Sequence, residues 1–194
     1  MVKTPIDYRD HIGDRLDHPE RVPPEYRHLI PDDQARVGWI CSIPLTGEVV
    51  DIGCSDGAIT RRLQAAWPEA HIVGIDKECD VRYKFLYVHQ FDFIFCCEVL
   101  EHLTHADVRL ALGNIYQALK PDGRLVVTVP NIACAVAYTA GCRDRWRWPD
   151  HRSAWDKHDL TDILRDTGFS PQFHALYPPE PSYDSIWLLV TAHK

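Results

Sequence analysis

Short apolar runs closed by glycine or proline alternate along this chain with segments whose apolar residues return every three or four positions. Val49-Val50-Asp51-Ile52 has the text of a buried strand at 48–52, opened by Thr46-Gly47 and closed by the turn Gly53-Cys54-Ser55-Asp56-Gly57. A helix is predicted from Ala58 to about Trp67, stopped by Pro68, and a second strand at 71–75 ends in Asp76. Phe91 to Cys97 is a third unmistakable strand. Ala106, Leu110, Ile115 and Leu119 keep helical spacing from Thr104 to Leu119, up to the turn Lys120-Pro121-Asp122-Gly123. Arg124 to Val129 is a strand closed by Pro130-Asn131, with Asn131 placed to cap a small-residue segment from Ile132 to Cys142. Asp159 to Thr167 is a helix ended by Gly168. Phe173 to Tyr177 and Ile186 to Ala192 are closing strands joined by a Pro-rich turn at 178–183. Upstream, Asp32 and Asp33 sit in the first turn of a helix that runs to Ile43, before Pro44.

One interval does not fit a regular βαβ rhythm. Only Lys77 to Gln90 separates Asp76 from the strand at Phe91, too short for a crossover helix with a strand and its loops. Phe85-Leu86-Tyr87-Val88 is the expected strand there, preceded by at most one helical turn. The pattern as a whole predicts an open, mostly parallel α/β sheet with helices on both faces and a closing pair of strands. Residues 1–31 are polar and rich in Pro, His, Arg and Asp. They predict an irregular N-terminal arm, lying over the domain or partly disordered, before a single domain at 32–194.

Composition narrows the setting. With 194 residues, 45% hydrophobic and 25% charged, the chain suits one domain with a full core. Lys3, Asp7, Arg9 and Asp10 leave no apolar stretch for a signal peptide, and no run is long enough to span a membrane. The seven cysteines form no Cys-x-x-Cys pair, and several lie in strand text, as expected of reduced thiols in a cytoplasmic protein. A net charge of −7 speaks against broad nucleic-acid binding while leaving room for a local basic site.

The candidate chemistry begins at the glycine turn. Strand, turn and helix start bring backbone N–H groups toward a ligand, and Asp76 lies about 20 residues further on, where a nucleotide-binding unit keeps the acid for ribose hydroxyls. With Val50-Asp51-Ile52-Gly53-Cys54-Ser55-Asp56-Gly57, Gly74-Ile75-Asp76, Phe91 to Leu103 and Leu119-Lys120-Pro121-Asp122-Gly123-Arg124-Leu125 in this order, the chain resembles the class I S-adenosylmethionine-dependent methyltransferases over about residues 48–194. The resemblance implies a Rossmann-like, doubly wound sheet of seven strands with the last antiparallel, here shortened between strands two and four. It implies that Asp51, Gly53, Ser55 and Gly57 surround the methionine part of the cofactor. Asp76 then takes the ribose hydroxyls, and Cys97 and Glu98 border the sulfonium. Ser55 stands where a second glycine is usual. The short 77–90 segment lacks the family's helix and adenine-side acid, for which Asp80 or a backbone group near His89 is the substitute.

Glu98-Val99-Leu100-Glu101-His102 places two carboxylates and an imidazole on one face if it forms a helical turn, most of a shell for a hard or borderline divalent ion. The text resembles the small-RNA 3′-terminal ribose 2′-O-methyltransferases and the ubiquinone-pathway O-methyltransferases. That likeness implies Glu98, Glu101, His102 and His151 as ligands of Mg²⁺ or another divalent metal that activates a hydroxyl. The alternative uses no metal and leaves His102 as a general base or a loop histidine, with His158 a rival of His151 and Asp159 as the cap of its helix. Arg143, Arg145, Arg147 and Arg152 with Trp146, Trp148 and Trp155 suit either RNA or a small-molecule pocket. The reading adopted is O-methylation of a small metabolite or sugar hydroxyl, with His102 and His151 catalytic. Its alternatives are RNA 3′-terminal ribose methylation and a non-catalytic binding module.

Overall fold

Strands without a polar face, such as Val49-Val50 and Phe93 to Cys97, need helices on both sides of the sheet, and this chain supplies them. The computed structural model describes residues 12–22, 24, 27, 30–77, 79–83, 85, 87–133, 151–175 and 187–194. Its strands are β1 (Glu48–Ile52), β2 (His71–Ile75), β3 (Phe91–Cys97), β4 (Leu119–Pro130), β5 (Ser170–His174) and β6 (Trp187–His193). They form one sheet in the order β2-β1-β3-β4-β6-β5. The first four are parallel, and β6 runs antiparallel to both β4 and β5. The helices are α1 (Ile12–Asp17), α2 (Ile30–Ser42), α3 (Ala58–Ala66), α4 (His105–Ala118) and α5 (Lys157–Asp166).

Alternation along the strands divides the core in two. Val50, Ile94, Cys96, Leu125 and Val127 face Val108, Leu112 and Ile115 of α4 and Leu160 and Leu164 of α5. Val49, Phe93, Phe95, Cys97 and Val126 face Val37 and Ile40 of α2 and Ile59 and Leu63 of α3. Each fully buried Leu or Ile contributes roughly 1.5–3 kcal/mol of transfer free energy, enough to fix which face every strand residue takes.

The described residues form six strands where seven are expected, and Phe85, Tyr87 and Val88 belong to none of them. Phe85 is buried against Phe91, ring centroids 5.9 Å apart and nearly parallel, and Tyr87 meets both rings edge-on. The amide of Asn114 in α4 donates to the carbonyls of Val81 and Arg82 at 2.8 and 3.0 Å. Phe85 therefore packs the short segment down while Val88 stays exposed, and β2 is left at the sheet edge with Val73 exposed.

Smaller shifts have local causes. β4 begins at Leu119, opposite Phe91, and its register slips before Arg124 meets Phe93, so Lys120–Gly123 is an irregularity within the strand. Thr104 caps α4, accepting from the N–H of Asp107. The cap of α5 is Asp156, which accepts from the N–H of Asp159 at 2.8 Å; Asp159 itself is already inside the helix. Asn131 Oδ1 accepts from the N–H of Ala133. The rest of the segment it was expected to cap, the Arg- and Trp-rich stretch 143–149 and the turn at 178–183 lie outside the described residues. Within the arm, α1 docks on the domain through Arg15, which donates to Asp33 of α2 at 2.7 Å, and through an Asp17–Arg62 ion pair. No helix among the described residues is long and apolar enough to cross a membrane.

Candidate active site

Ile52 and Ile75 end neighbouring strands, and the turns after them wall a cleft of about 550 Å³. The N–H groups of Gly53 and Cys54 both donate to the Ile75 carbonyl, at 2.8 and 3.1 Å, which locks the two turns together. Gly53 has φ +74°, and a Cβ there would lie 2.5 Å from Val99 Cγ2, so only glycine fits. Ser55 keeps a left-handed backbone (φ 48°) where the resemblance leads one to expect glycine, a strain on the order of 1 kcal/mol held by the turn around it. Gly57 is the left-handed cap of α3 and does not line the cleft, whereas Asp51, Gly53, Ser55 and Asp76 do.

Asp51 and Asp76 bring two carboxylates to this wall. Asp51 is almost fully buried and accepts from Thr60 Oγ1 at 2.6 Å. Burial raises its carboxyl to about 6, the Thr60 hydrogen bonds only partly opposing the loss of solvent, and the Asp76 charge adds to the rise. Asp80 lines the cleft beyond Asp76, with its carboxylate clasping Arg82 at 2.7 and 2.9 Å. His89 does not reach the cleft: its N–H donates to Gln117 and its ring lies against the Leu119 carbonyl. Of the two candidates for the adenine side, the Asp80–Arg82 turn lines the cleft and His89 does not.

At the end of β3, burial raises the Cys97 thiol, with the Asp51 charge adding to it, so Cys97 offers a neutral sulfur to the cleft. Glu98 is held left-handed (φ 59°); its N–H donates to the Thr128 carbonyl and its Oε1 accepts from Thr128 Oγ1, both at 2.9 Å. Leu100–His102 follows as one 3-10 turn. This breaks the expected α-helical face. Glu101, His102 and His151 come together, with one ligand atom from each all lying within 4.8 Å of one another. Glu98 is not in the group, because Thr128 and, at 3.8 Å, Arg36 hold its carboxylate toward α2 and β4. The N–H groups of Arg152 and Ser153 donate to the Glu101 carbonyl at 2.7 and 3.1 Å, which brings His151 to the turn, its ring 5.0 Å from that of His102. His158 stands on the exposed surface of α5 beside Asp162. One carboxylate and two imidazoles suit a hard or borderline divalent ion.

The sequence did not mark Arg15, Arg36 and Trp187 as cleft residues, yet all three line it. A sign existed for Arg36. Asp33, Arg36, Val37 and Ile40 share one helical stripe, and all four are buried. Charges on an apolar stripe point to a buried polar network.

The model of a family described as a methyltransferase domain matches residues 23–172. The chain belongs to this methyltransferase family. Trans-aconitate 2-methyltransferase of Klebsiella pneumoniae is 28% identical over 159 residues, covering 71% of this methyltransferase; the chain spans about half, 53%, of that relative. Among solved structures, a SAM-dependent methyltransferase from Archaeoglobus fulgidus superposes with TM-score 0.62 at 17% identity, covering 97% of this chain and all of its own. Human N-acetylserotonin methyltransferase in complex with SAM does so with TM-score 0.66 at 14% identity, covering 88% of this chain and 56% of that one. The fold is therefore the Rossmann-like fold of S-adenosylmethionine-dependent methyltransferases. The cleft brings the carboxylates of Asp51 and Asp76 to one wall beside the Gly53 turn, against which Val99 packs.

Proposed function

We propose that this methyltransferase transfers a methyl group from S-adenosylmethionine to a hydroxyl oxygen of a small metabolite or sugar. The observation that carries the oxygen acceptor is the convergence of Glu101, His102 and His151 on the cleft that also holds Asp51, Gly53 and Asp76. The cofactor supplies an electrophilic methyl on a sulfonium. Asp51 pairs its ammonium, Gly53 and Ser55 leave room for the methionine part, and Asp76 holds the ribose hydroxyls. Cys97 and Glu98 border the reacting centre. His102 or His151 accepts the acceptor's hydroxyl proton directly, or the three residues hold Mg²⁺ or another divalent ion that lowers the hydroxyl's pKa. Positioning donor and acceptor in line contributes most of the acceleration.

A small acceptor is supported by the relatives named for trans-aconitate and by a cleft of about 550 Å³, the size that takes metabolites. The described cysteines are free thiols, which suits a cytoplasmic enzyme. Transfer of a labelled methyl group to a panel of small hydroxylic acceptors tests the reading, with Mn²⁺ and with chelator. We expect transfer that falls by about 10²-fold or more in His102→Gln combined with His151→Gln. Methylation of RNA in preference to every small acceptor, or cofactor binding without transfer to any acceptor, would contradict it.

A further inference from the structure

We infer that the outer edge of β2 pairs, antiparallel, with the same edge of a second copy of this chain. β2 ends the sheet, and among the described residues only β1 pairs with it. His71 donates its N–H to the Gly47 carbonyl, and the Ile75 carbonyl accepts from Gly53. His71, Val73 and Ile75 therefore turn their backbone groups toward β1, and by alternation Ile72 and Gly74 turn theirs outward. Soluble proteins blunt an open edge with lysine, proline or a bulge inside the strand. His71-Ile72-Val73-Gly74-Ile75 has no lysine or proline, and its register with β1 is unbroken. The surroundings are apolar as well. Of the five large hydrophobic residues exposed among the described ones, four (Val73, Tyr83, Tyr87 and Val88) lie in β2 and the short segment after it. Val73 shares its face with Ile75, which packs on the core holding Phe85 and Phe91, the two rings that Tyr87 rests on.

The edge is complementary to itself. In an antiparallel pair of β2 strands centred on Val73, Ile72 of each copy faces Gly74 of the other, and the facing residues exchange both N–H···O=C bonds. Val73 meets its own counterpart at the closely spaced site on the two-fold axis. Just beyond the strand ends, exposed Glu69 comes opposite exposed Lys77 of the other copy, twice by symmetry. Centring on Ile72 or Gly74 keeps the backbones in step but sets Glu69 against Ile75 or Cys79, so the charges select one register. Lys77 lines the cleft, which puts Glu69 of the second copy at its rim. Residues 1–11 are poor competitors for the edge, since Lys3, Pro5, Asp7, Arg9 and Asp10 interrupt any strand text there.

Sedimentation over a range of protein concentrations at low salt is the test. The wild type passes from monomer to dimer in the micromolar range. Val73→Lys, at an exposed position, leaves the monomer folded and sets two lysines against each other at the axis, weakening the dimer about tenfold or more. Glu69→Lys and Lys77→Glu each bring like charges together and weaken it when alone. Mixed in equal amounts, these two variants form a heterodimer whose pairs are again opposite in sign, and association recovers to within about threefold of wild type. Hydrogen exchange gives a second reading: the amides of Ile72 and Gly74 gain protection as concentration rises, while those of Val73 and Ile75 are protected throughout. A protein that stays monomeric up to about 1 mM overturns the proposal. So does a dimer indifferent to Val73→Lys, or a mixture that fails to recover. Protection of Ile72 and Gly74 that is independent of concentration overturns it too, since another part of the chain would then cover the edge.

Discussion

Asp51→Asn folds more stably than the wild type at neutral pH and loses its affinity for S-adenosylhomocysteine. Both effects come from one buried carboxylate. Its usual value of 3.8 rises to about 6 in the fold because burial removes solvent from the charge. Between about pH 4 and 6 the folded chain therefore keeps a proton that the unfolded chain has released. The group's contribution to stability is complete below about 4 and is lost as pH rises through 6, leaving a charged, desolvated Asp51 at pH 7. The shift corresponds to on the order of 3 kcal/mol, part of which the asparagine gives back through a weaker bond to Thr60. A gain of about 1–2 kcal/mol is expected, or roughly 3–6 °C in Tm, opening between pH 4 and 6 and flat above 7. Calorimetric titration should show affinity for the cofactor product falling by about 10²-fold, since the ammonium loses its partner. Thermal melts across pH 4–8 check the first half. A variant less stable than wild type at pH 7.5 would contradict the assignment of Asp51 as a strained binding group.

Glu101→Gln removes one charge from the Glu101–His102–His151 group with almost no change of shape. If the group holds Mn²⁺ or Mg²⁺, the heat of Mn²⁺ binding disappears and affinity drops by about 10²-fold or more, with methyl transfer falling alongside. The backbone carbonyl of Glu101, which anchors Arg152 and Ser153, is untouched, so the position of His151 survives the change. A wild type that binds no Mn²⁺ and transfers methyl equally well in chelator would contradict the metal. The two histidines would then act on the acceptor alone.

Much of this architecture is legible in the chain because punctuation and alternation coincide. Gly47, Gly53, Pro68 and Asp76 bracket β1, α3 and β2 almost to the residue, and the unbroken apolar run Phe93–Cys97 admits only a strand covered on both faces. The stretch 85–88 misleads for a physical reason. Apolar alternation records burial, and Phe85 is buried by Phe91 and the flank of α4 without any strand pairing. Glu98 misleads because spacing alone assumes an α-helical turn, whereas a left-handed residue followed by a 3-10 turn sends its carboxylate to Thr128. Arg36 stays hidden for the opposite reason. Its partners Thr128 and Trp187 are far along the chain, and only tertiary packing brings them to α2.

The most direct measurement is calorimetric titration of the protein with S-adenosylhomocysteine, wild type beside Asp76→Ala. Asp76 stands at the end of β2 in the cleft, so micromolar binding by the wild type that is lost in the variant is the predicted result. A wild type that gives no binding at any concentration reached would contradict the account and leave the shortened 77–90 segment as the reason the cleft cannot hold a cofactor.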